Sequence, residues 1–263
     1  MRQRADAILV DRGLFPSREQ ARAAILAGRV RVAGQPVTKA GQPLDDSVEF
    51  DITPLPEYVS RGGHKLEGAL KAFDIDVSGK RAIDVGASTG GFTDRLLKGG
   101  AISVTAVDVG YGQLAWSLRT DERVTVVERT NIRTADPVAL GAPFELAVVD
   151  VSFISLEKVL PALCALLAED GEVVALVKPQ FEAGKGRVGK KGVVRDPAVH
   201  RDVLERVIEA SVREGFGVRG LTFSPIRGPE GNIEFWIWLA RGGESAEVDP
   251  AALVEQAHDT LGA

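Results

Sequence analysis

Four residues spread along the chain could work together as a base: Lys65, Asp150, Lys178 and Glu234. Asp150 follows the apolar run Ala147-Val148-Val149, and Lys178 follows Val173-Val174-Ala175-Leu176-Val177. A charged residue ending such a run stands at the carboxyl edge, where open α/β sheets place their chemistry. A lysine there is costly to bury unless it is paired or functional. Glu234 opens a further apolar run, Phe235-Trp236-Ile237, and Lys65 begins a helical stretch. Taken singly, each reads equally well as a paired surface charge. Brought to one pocket, two lysines and two carboxylates would make a tunable base, because burial and a second cation lower an amine's proton affinity while carboxylates raise it.

A ligand site is suggested by Ala82-Ile83-Asp84-Val85-Gly86-Ala87-Ser88-Thr89-Gly90-Gly91-Phe92. An apolar strand runs there into a glycine-rich turn and then a helix, so that backbone N–H groups can approach a ligand closely. The glycine spacing is not that of dinucleotide binders. Asp84, two positions before the first glycine, would repel a pyrophosphate but suits a ligand with a cationic amino-acid end, such as S-adenosylmethionine. Asp84, Gly86, Ala87, Ser88, Gly90, Gly91 and Phe92 are expected around that end, with Asp150 beside it. Asp108, with Val109 next to it, closes the following apolar run, the place from which a carboxylate grips ribose hydroxyls. A turn acid is the alternative for Asp108. Asn131 is expected near an adenine, with a plain loop asparagine as the even alternative.

These residues need elements to position them. Residues 4–28 read as two short helices, the first stopped at Gly13 and the second capped by Ser17 and closed by Gly28. Val30, Val32, Val37, Val48, Phe50 and Ile52 alternate like short strands around the turn Ala33-Gly34-Gln35-Pro36. This predicts an α+β unit over residues 1–53. Residues 54–59, with Pro54 and Pro56, read as a stiff linker. From residue 60 to 263, candidate strands at 81–85, 103–107, 125–128, 146–149, 172–177, 218–223 and 235–240 alternate with helical stretches at 65–73, 92–98, 156–167 and 197–214. Such alternation predicts an α/β sandwich on a largely parallel sheet. The last two strands suggest an antiparallel edge, and residues 249–261 a further helix.

The chain has 263 residues, 44% hydrophobic and 26% charged, with a net charge of −5. That sum hides an asymmetry: residues 1–40 carry eight basic side chains against three acidic ones, a net of +5. Local charge decides attraction to phosphate. No apolar run approaches the roughly 18–20 residues that span a bilayer, and the charged N-terminus lacks the apolar segment of a secretory signal. The single cysteine, Cys164, rules out an internal disulfide and cysteine-rich zinc sites, and reads as buried on a helix. A cytoplasmic location is expected.

The spaced set Lys65, Asp150, Lys178 and Glu234 resembles the tetrad of the RrmJ/FtsJ-like 2′-O-methyltransferases. More closely, the chain resembles the TlyA family of ribosomal RNA ribose methyltransferases, often described as hemolysins. The resemblance is carried by Ser17-Arg18-Glu19-Gln20-Ala21, Val59-Ser60-Arg61-Gly62-Gly63-His64-Lys65-Leu66 and Asp84 to Phe92. It continues in Asp108-Val109-Gly110-Tyr111-Gly112-Gln113-Leu114, Asp150-Val151-Ser152-Phe153-Ile154-Ser155 and Val177-Lys178-Pro179-Gln180-Phe181-Glu182. It implies a Rossmann-like S-adenosylmethionine methyltransferase sandwich preceded by an S4-like RNA-binding domain, with ribosomal RNA in ribosomal subunits as partner. Arg4, Arg18, Arg22, Arg29 and Arg31 are then expected on the RNA. Arg61 and His64 beside the site are expected to join them, with Lys185, Arg187 and Lys190 of the glycine-rich basic stretch 184–192.

The implied reaction is methyl transfer to cytidine 2′-hydroxyls, in the large subunit, with the small subunit as a further candidate. A ribose hydroxyl is a poor nucleophile until a base takes its proton. Lys178 is assigned as that base, Lys65 as the residue that positions the ribose, and Asp150 and Glu234 as groups that orient the lysines. No metal is needed. Three rivals are a base-directed methyltransferase, a membrane-active hemolysin and a non-catalytic ribosome-binding factor. Cys164 is not at a strand end, and Asp150-Val151-Ser152-Phe153 replaces the element typical of amino-directed enzymes. No amphipathic helix suited to pore formation is evident, and the complete tetrad argues against an idle factor.

Overall fold

The computed structural model describes residues 2–184, 186–189 and 191–262. The chain divides into two compact units, Met1–Glu57 and Tyr58–Ala263. In the first, β1 (Arg2–Arg4), α1 (Ala5–Asp11) and α2 (Arg18–Leu26) precede β2 (Val30–Val32), β3 (Gln35–Pro36), β4 (Pro43–Asp45) and β5 (Phe50–Ile52). Ser17 caps α2, its hydroxyl accepting from the Gln20 N–H at 3.3 Å. Leu9, Ala21, Ala24, Ile25 and Val30 form a small core.

The hairpin β2–β3 turns on Ala33 and Gly34 alone, both with positive φ. Gln35 and Pro36, expected in the turn, instead pair with Val32 and Arg31. Two central residues with positive φ match the twist of the flanking strands. Val37 and Val48 lie outside strands; Val37 is buried all the same, while Val48 N–H closes a turn onto Asp45. The polar β1 and β4, which pair with each other, carry no alternation that would reveal them.

The second unit is built on seven strands: β6 (Arg81–Val85), β7 (Ser103–Val107), β8 (Val124–Val127), β9 (Phe144–Val149), β10 (Leu167–Val177), β11 (Phe216–Phe223) and β12 (Phe235–Arg241). Their order is β11-β12-β10-β9-β6-β7-β8. Strand β12 runs antiparallel to both β10 and β11, so β11 at the edge is parallel to the rest. The expected antiparallel edge is therefore one reversed strand inserted inside the sheet. The crossover from β10 to β11 leaves a gap one strand wide, and the return from β11 fills it.

The helices are α3 (Gly62–Ala72), α4 (Gly91–Lys98), α5 (Trp116–Arg119), α6 (Pro137–Leu140), α7 (Leu160–Leu166), α8 (Pro179–Glu182), α9 (Pro197–Arg213) and α10 (Pro250–Leu261). Asp196 and Asp249 cap the last two, each followed by a proline whose missing N–H costs nothing in the first turn. The single helix expected at 156–167 is divided into a 3₁₀ turn, Leu156–Lys158, and α7, with Pro161 in its first turn. Leu167 already belongs to β10. Cys164, expected to be buried, is only partly so.

Both faces of the sheet are covered. Along β10, Val173, Ala175 and Val177 enter one core, with Leu163, Val203 and Leu204. Val174 and Leu176 enter the other, with Leu66, Phe92, Leu96 and Trp236. A strand buried on both faces reads as a continuous apolar run. That is why β6, β7 and β10 stand out in the sequence.

Candidate active site

Neighbouring strands β10, β9, β6 and β7 all point the same way, so their carboxyl ends bring Lys178, Asp150, Gly86 and Asp108 onto one edge of the sheet. The crossing of Gly86 over Asp150 is tight. A Cβ on Gly86 would lie 2.4 Å from the Asp150 carbonyl oxygen, and its φ of +89° is one that only glycine adopts freely. Gly90 is similarly restricted, with a φ of +94° and a hypothetical Cβ 2.3 Å from Leu118.

Two cavities meet at this crossing, sharing Gly86, Ser88 and Asp150. One, of about 340 Å³, is walled by Ser60, Arg61, Lys65, Ala87, Phe92 and Pro229. The other, of about 420 Å³, is walled by Asp108, Val109, Asn131, Ile132, Ser152 and Phe153. Both oxygens of Asp108 accept backbone N–H groups, from Ser88 and Gly110, each at 2.7 Å. Asn131 is oriented by accepting the Arg133 N–H at 3.1 Å. Gly91 and Phe92 open α4, the Phe92 ring 5.5 Å from that of Trp236.

Asp84 stands apart from this set. It is fully buried and lines neither cavity. Its Oδ2 accepts the Thr93 N–H at 2.9 Å and the Thr93 hydroxyl at 2.7 Å, so it ties β6 to α4 behind the glycine turn. Its Oδ1 is buried with no hydrogen-bond partner among the described residues. Burial pushes the carboxyl up to about 7, and the charges of Asp150 and Asp108 push the same way. The acid expected to face a ligand's cationic end is thus set behind the loop it was expected to line.

The four residues of the suspected base form two pairs. Lys65 Nζ donates to Glu234 Oε2 at 2.6 Å, with Lys65 and Glu234 both buried. Burial raises the Glu234 carboxyl above the usual range, against the pull of Lys65. Lys178 Nζ stands 2.5 Å from Asp150 Oδ1 and donates to Ser152 Oγ at 2.9 Å. Glu234 also feels the charges of Lys178 and Asp150, which places the pairs within electrostatic reach of each other.

Two residues with no role expected from sequence stand at this edge, Ser152 and Phe153. Phe153 is 91% exposed with a φ of +63°. Its ring lies 5.0 Å from that of Phe181, which in turn lies 5.8 Å from the Lys178 amine. Both belong to the stretch Asp150 to Ser155 that carries the family resemblance, shortly after a strand-ending acid, but residue type and spacing gave neither a role. Pro229, on the loop before Glu234, carried no signal.

The expected RNA contacts are scattered over both units. In the first, Arg4, Arg18, Arg22 and Arg31 are exposed and Arg29 is half-buried. Arg4 and Arg18 both pair with Asp6, at 2.9 and 3.4 Å, and the hydrogen bond from Arg4 holds that carboxyl below its usual range. Arg29 donates to Thr53 O at 2.9 Å. In the second unit, Arg61 is exposed and donates to Arg227 O at 2.9 Å. His64 is exposed, edge-on to Tyr58. Arg187 pairs with Asp202 at 2.5 Å. Lys185 and Lys190 lie outside the described residues.

Over residues 58–241 the chain matches the family described as FtsJ-like methyltransferase, and over residues 3–49 the S4 domain. It is 51% identical over 240 residues, 90% of each chain, to a Mycobacterium tuberculosis protein named 16S/23S rRNA (cytidine-2′-O)-methyltransferase TlyA. A Brachyspira hyodysenteriae protein named Hemolysin A is 41% identical over 88% of this chain and 97% of its own. A solved structure described as a hemolysin from Streptococcus thermophilus is 45% identical. It superposes with a TM-score of 0.75, covering 99% of this chain and 97% of that one. The sheet, with its single reversed strand, is a Rossmann-like sandwich, and the family match makes it that of an FtsJ-like methyltransferase. With an S4 domain ahead of an FtsJ-like domain and this identity to a TlyA protein along nearly its whole length, the chain belongs to the TlyA family of methyltransferases.

Proposed function

We propose that the chain transfers the methyl group of S-adenosylmethionine to the ribose 2′-hydroxyl of a cytidine in large-subunit ribosomal RNA, with small-subunit RNA as the second substrate to test. The observation that carries this reading is the placing of the Lys178–Asp150 and Lys65–Glu234 pairs beside the Gly86 turn. The cytidine target rests on the name of the mycobacterial relative.

The residues present fit an S-adenosylmethionine molecule. Its ribose would lie against Asp108, its adenine against Asn131 and Ile132, and its amino-acid end against the backbone of Gly86 to Ser88, where no Cβ is tolerated at Gly86. The buried, unpartnered Asp84 Oδ1 stands behind that turn. When bound, this group supplies a sulfonium methyl carbon open to a nucleophile. Lys178 acts as general base on the attacking hydroxyl. Lys65, on the cavity wall, holds the ribose, and Asp150 and Glu234 hold the two amines. Much of the rate comes from this positioning. The exposed Phe153 ring offers a surface on which an unpaired base can stack. The exposed arginines of the S4 domain hold phosphates without reading sequence.

Among the described residues, no helix is long and apolar enough to cross a membrane. The deciding experiment is tritiated methyl transfer from S-adenosylmethionine to purified ribosomal subunits, with nucleoside analysis of the product. Label recovered as 2′-O-methylcytidine, lost in Lys178→Ala while RNA binding persists, is the expected result. Label on a base would overturn the ribose reading. Equal loss of turnover and RNA binding in Lys178→Ala would overturn its role as base.

A further inference from the structure

Two unlike contacts hold the Lys178 amine. Asp150 Oδ1 stands 2.5 Å from Nζ but outside hydrogen-bonding alignment. Ser152 Oγ accepts a hydrogen bond from the same nitrogen at 2.9 Å. Among the described residues, Ser152 is the one aligned acceptor for this amine. The contacts therefore have different consequences. Attraction between two charges depends on distance and hardly on angle, so Asp150 settles where the nitrogen sits. A hydrogen bond weakens steeply off its axis, so Ser152 settles the rotation about the Cε–Nζ bond.

That rotation matters to a base. A neutral amine has one lone pair and two N–H bonds, and it can take a proton only along the lone pair. We infer that Ser152 is a positioning residue for the methyl transfer: by accepting one N–H of Lys178 it turns the lone pair of the neutral amine toward the substrate hydroxyl. The inference rests on the reading of Lys178 as general base. In the step itself, the Lys178 lone pair takes the 2′-hydroxyl proton while the oxygen forms its bond to the methyl carbon. The electron pair of the breaking carbon–sulfur bond leaves with sulfur. The ammonium so formed returns its proton to water before the next turnover, and Ser152 keeps its own hydroxyl proton throughout.

The surroundings of Ser152 suit this role. It lies three residues beyond the end of β9, exposed, on the wall of the cavity that Asp108 and Asn131 share. The next residue, Phe153, is held in the left-handed region, which a non-glycine residue occupies only where its neighbours impose it. The contact of its ring with Phe181, three residues beyond Lys178, ties the turn carrying Ser152 to the segment carrying the amine. Because the side chain is exposed, its loss should leave the fold intact.

The test compares Ser152→Ala, Ser152→Thr and Lys178→Ala in the full-length protein. Ser152→Ala should lower the single-turnover rate about tenfold, the ratio equivalent to one ordinary hydrogen bond. Its Tm, its Kd for S-adenosylmethionine by calorimetry and its KM for RNA should stay unchanged. Ser152→Thr, which keeps the hydroxyl, should recover most of the rate. A readout independent of turnover is the ¹⁵N order parameter of the Lys178 amine in the protein alone. It should fall in Ser152→Ala and be restored in Ser152→Thr. Full activity in Ser152→Ala beside an inactive Lys178→Ala would overturn the inference while leaving the base in place. Parallel loss of rate and cofactor affinity in Ser152→Ala would also overturn it, making Ser152 a binding residue. An active Lys178→Ala would instead overturn the reading on which the inference stands.

Discussion

Lys65 Nζ and Glu234 Oε2 lie 2.6 Å apart although 169 positions separate them along the chain. The contact joins the first turn of α3 to the residue before the inserted strand β12, and both side chains are nearly closed to solvent, 9% and 1% exposed. A buried pair of this kind contributes little net stability, yet removing one partner strands the other. Glu234→Gln should therefore destabilise the fold by about 3 kcal/mol. Lys65→Met combined with Glu234→Gln should cost less than the sum of the two single changes. Urea unfolding of the three variants checks this, and strict additivity would contradict it.

Asp84 supplies a pH dependence of one sign. Its folded-state value, about 7, lies above the usual 3.8, because burial penalises the charged form. Folding thus favours the protonated acid. The stability it contributes is full below the unfolded value and is lost as the pH rises through the folded one. Asp84→Asn keeps an oxygen for Thr93 and removes the titration. Its urea midpoint should vary less than that of the parent protein between about pH 4 and pH 8.

The histidine pair between α9 and α10 acts in the opposite sense. His200 Nδ1 lies 2.9 Å from His258 Nε2, joining α9 to α10. Burial lowers His200 to about 4, with repulsion from His258 adding to it, and burial lowers His258 as well. Depressed folded-state values mean stability that is present above the unfolded value of 6.5 and lost as the pH falls toward 4. Protonating both rings would also place two donors face to face. Hydrogen exchange in α10 should accelerate first on acidification, and His258→Gln should reduce that acid sensitivity, His200 retaining the part that burial causes. Uniform exchange along the chain would contradict the assignment.

The crossing of Gly86 over Asp150 leaves no space for a side chain. Gly86→Ala should displace Asp150, and with it Lys178, and so reduce both cofactor affinity and turnover. The same change at Gly184, where φ is +79° but nothing lies within 4 Å of a Cβ, should leave cofactor affinity alone. Calorimetric titration with S-adenosylmethionine separates the two.

Much of the scaffold could be read from the chain alone. Strands β6 and β7 span the residues that alternation indicated, because strands buried on both faces leave unbroken apolar runs. The glycine turn, and the acids and lysine that end β7, β9 and β10, were visible because strand ends in a parallel sheet share one edge. Charge asymmetry marked the basic first unit without showing that Arg4 and Arg18 both turn to Asp6. Tertiary structure decided what local pattern does not encode. Which lysine meets which carboxylate depends on strand order and on the approach of α3 to β12. The place of β12 between β10 and β11 follows from a gap that exists only once the sheet is assembled. Asp84 lies two residues from the glycine turn in sequence but is tied to α4 through Thr93 and lines neither cavity, and its burial, the main cause of its raised carboxyl, exists only in the folded chain. Ser152 and Phe153 gained their place from a backbone turn after β9 that no period in the sequence announces. Residue types and spacing reveal where chemistry can stand; contacts between residues far apart in the chain determine which groups touch.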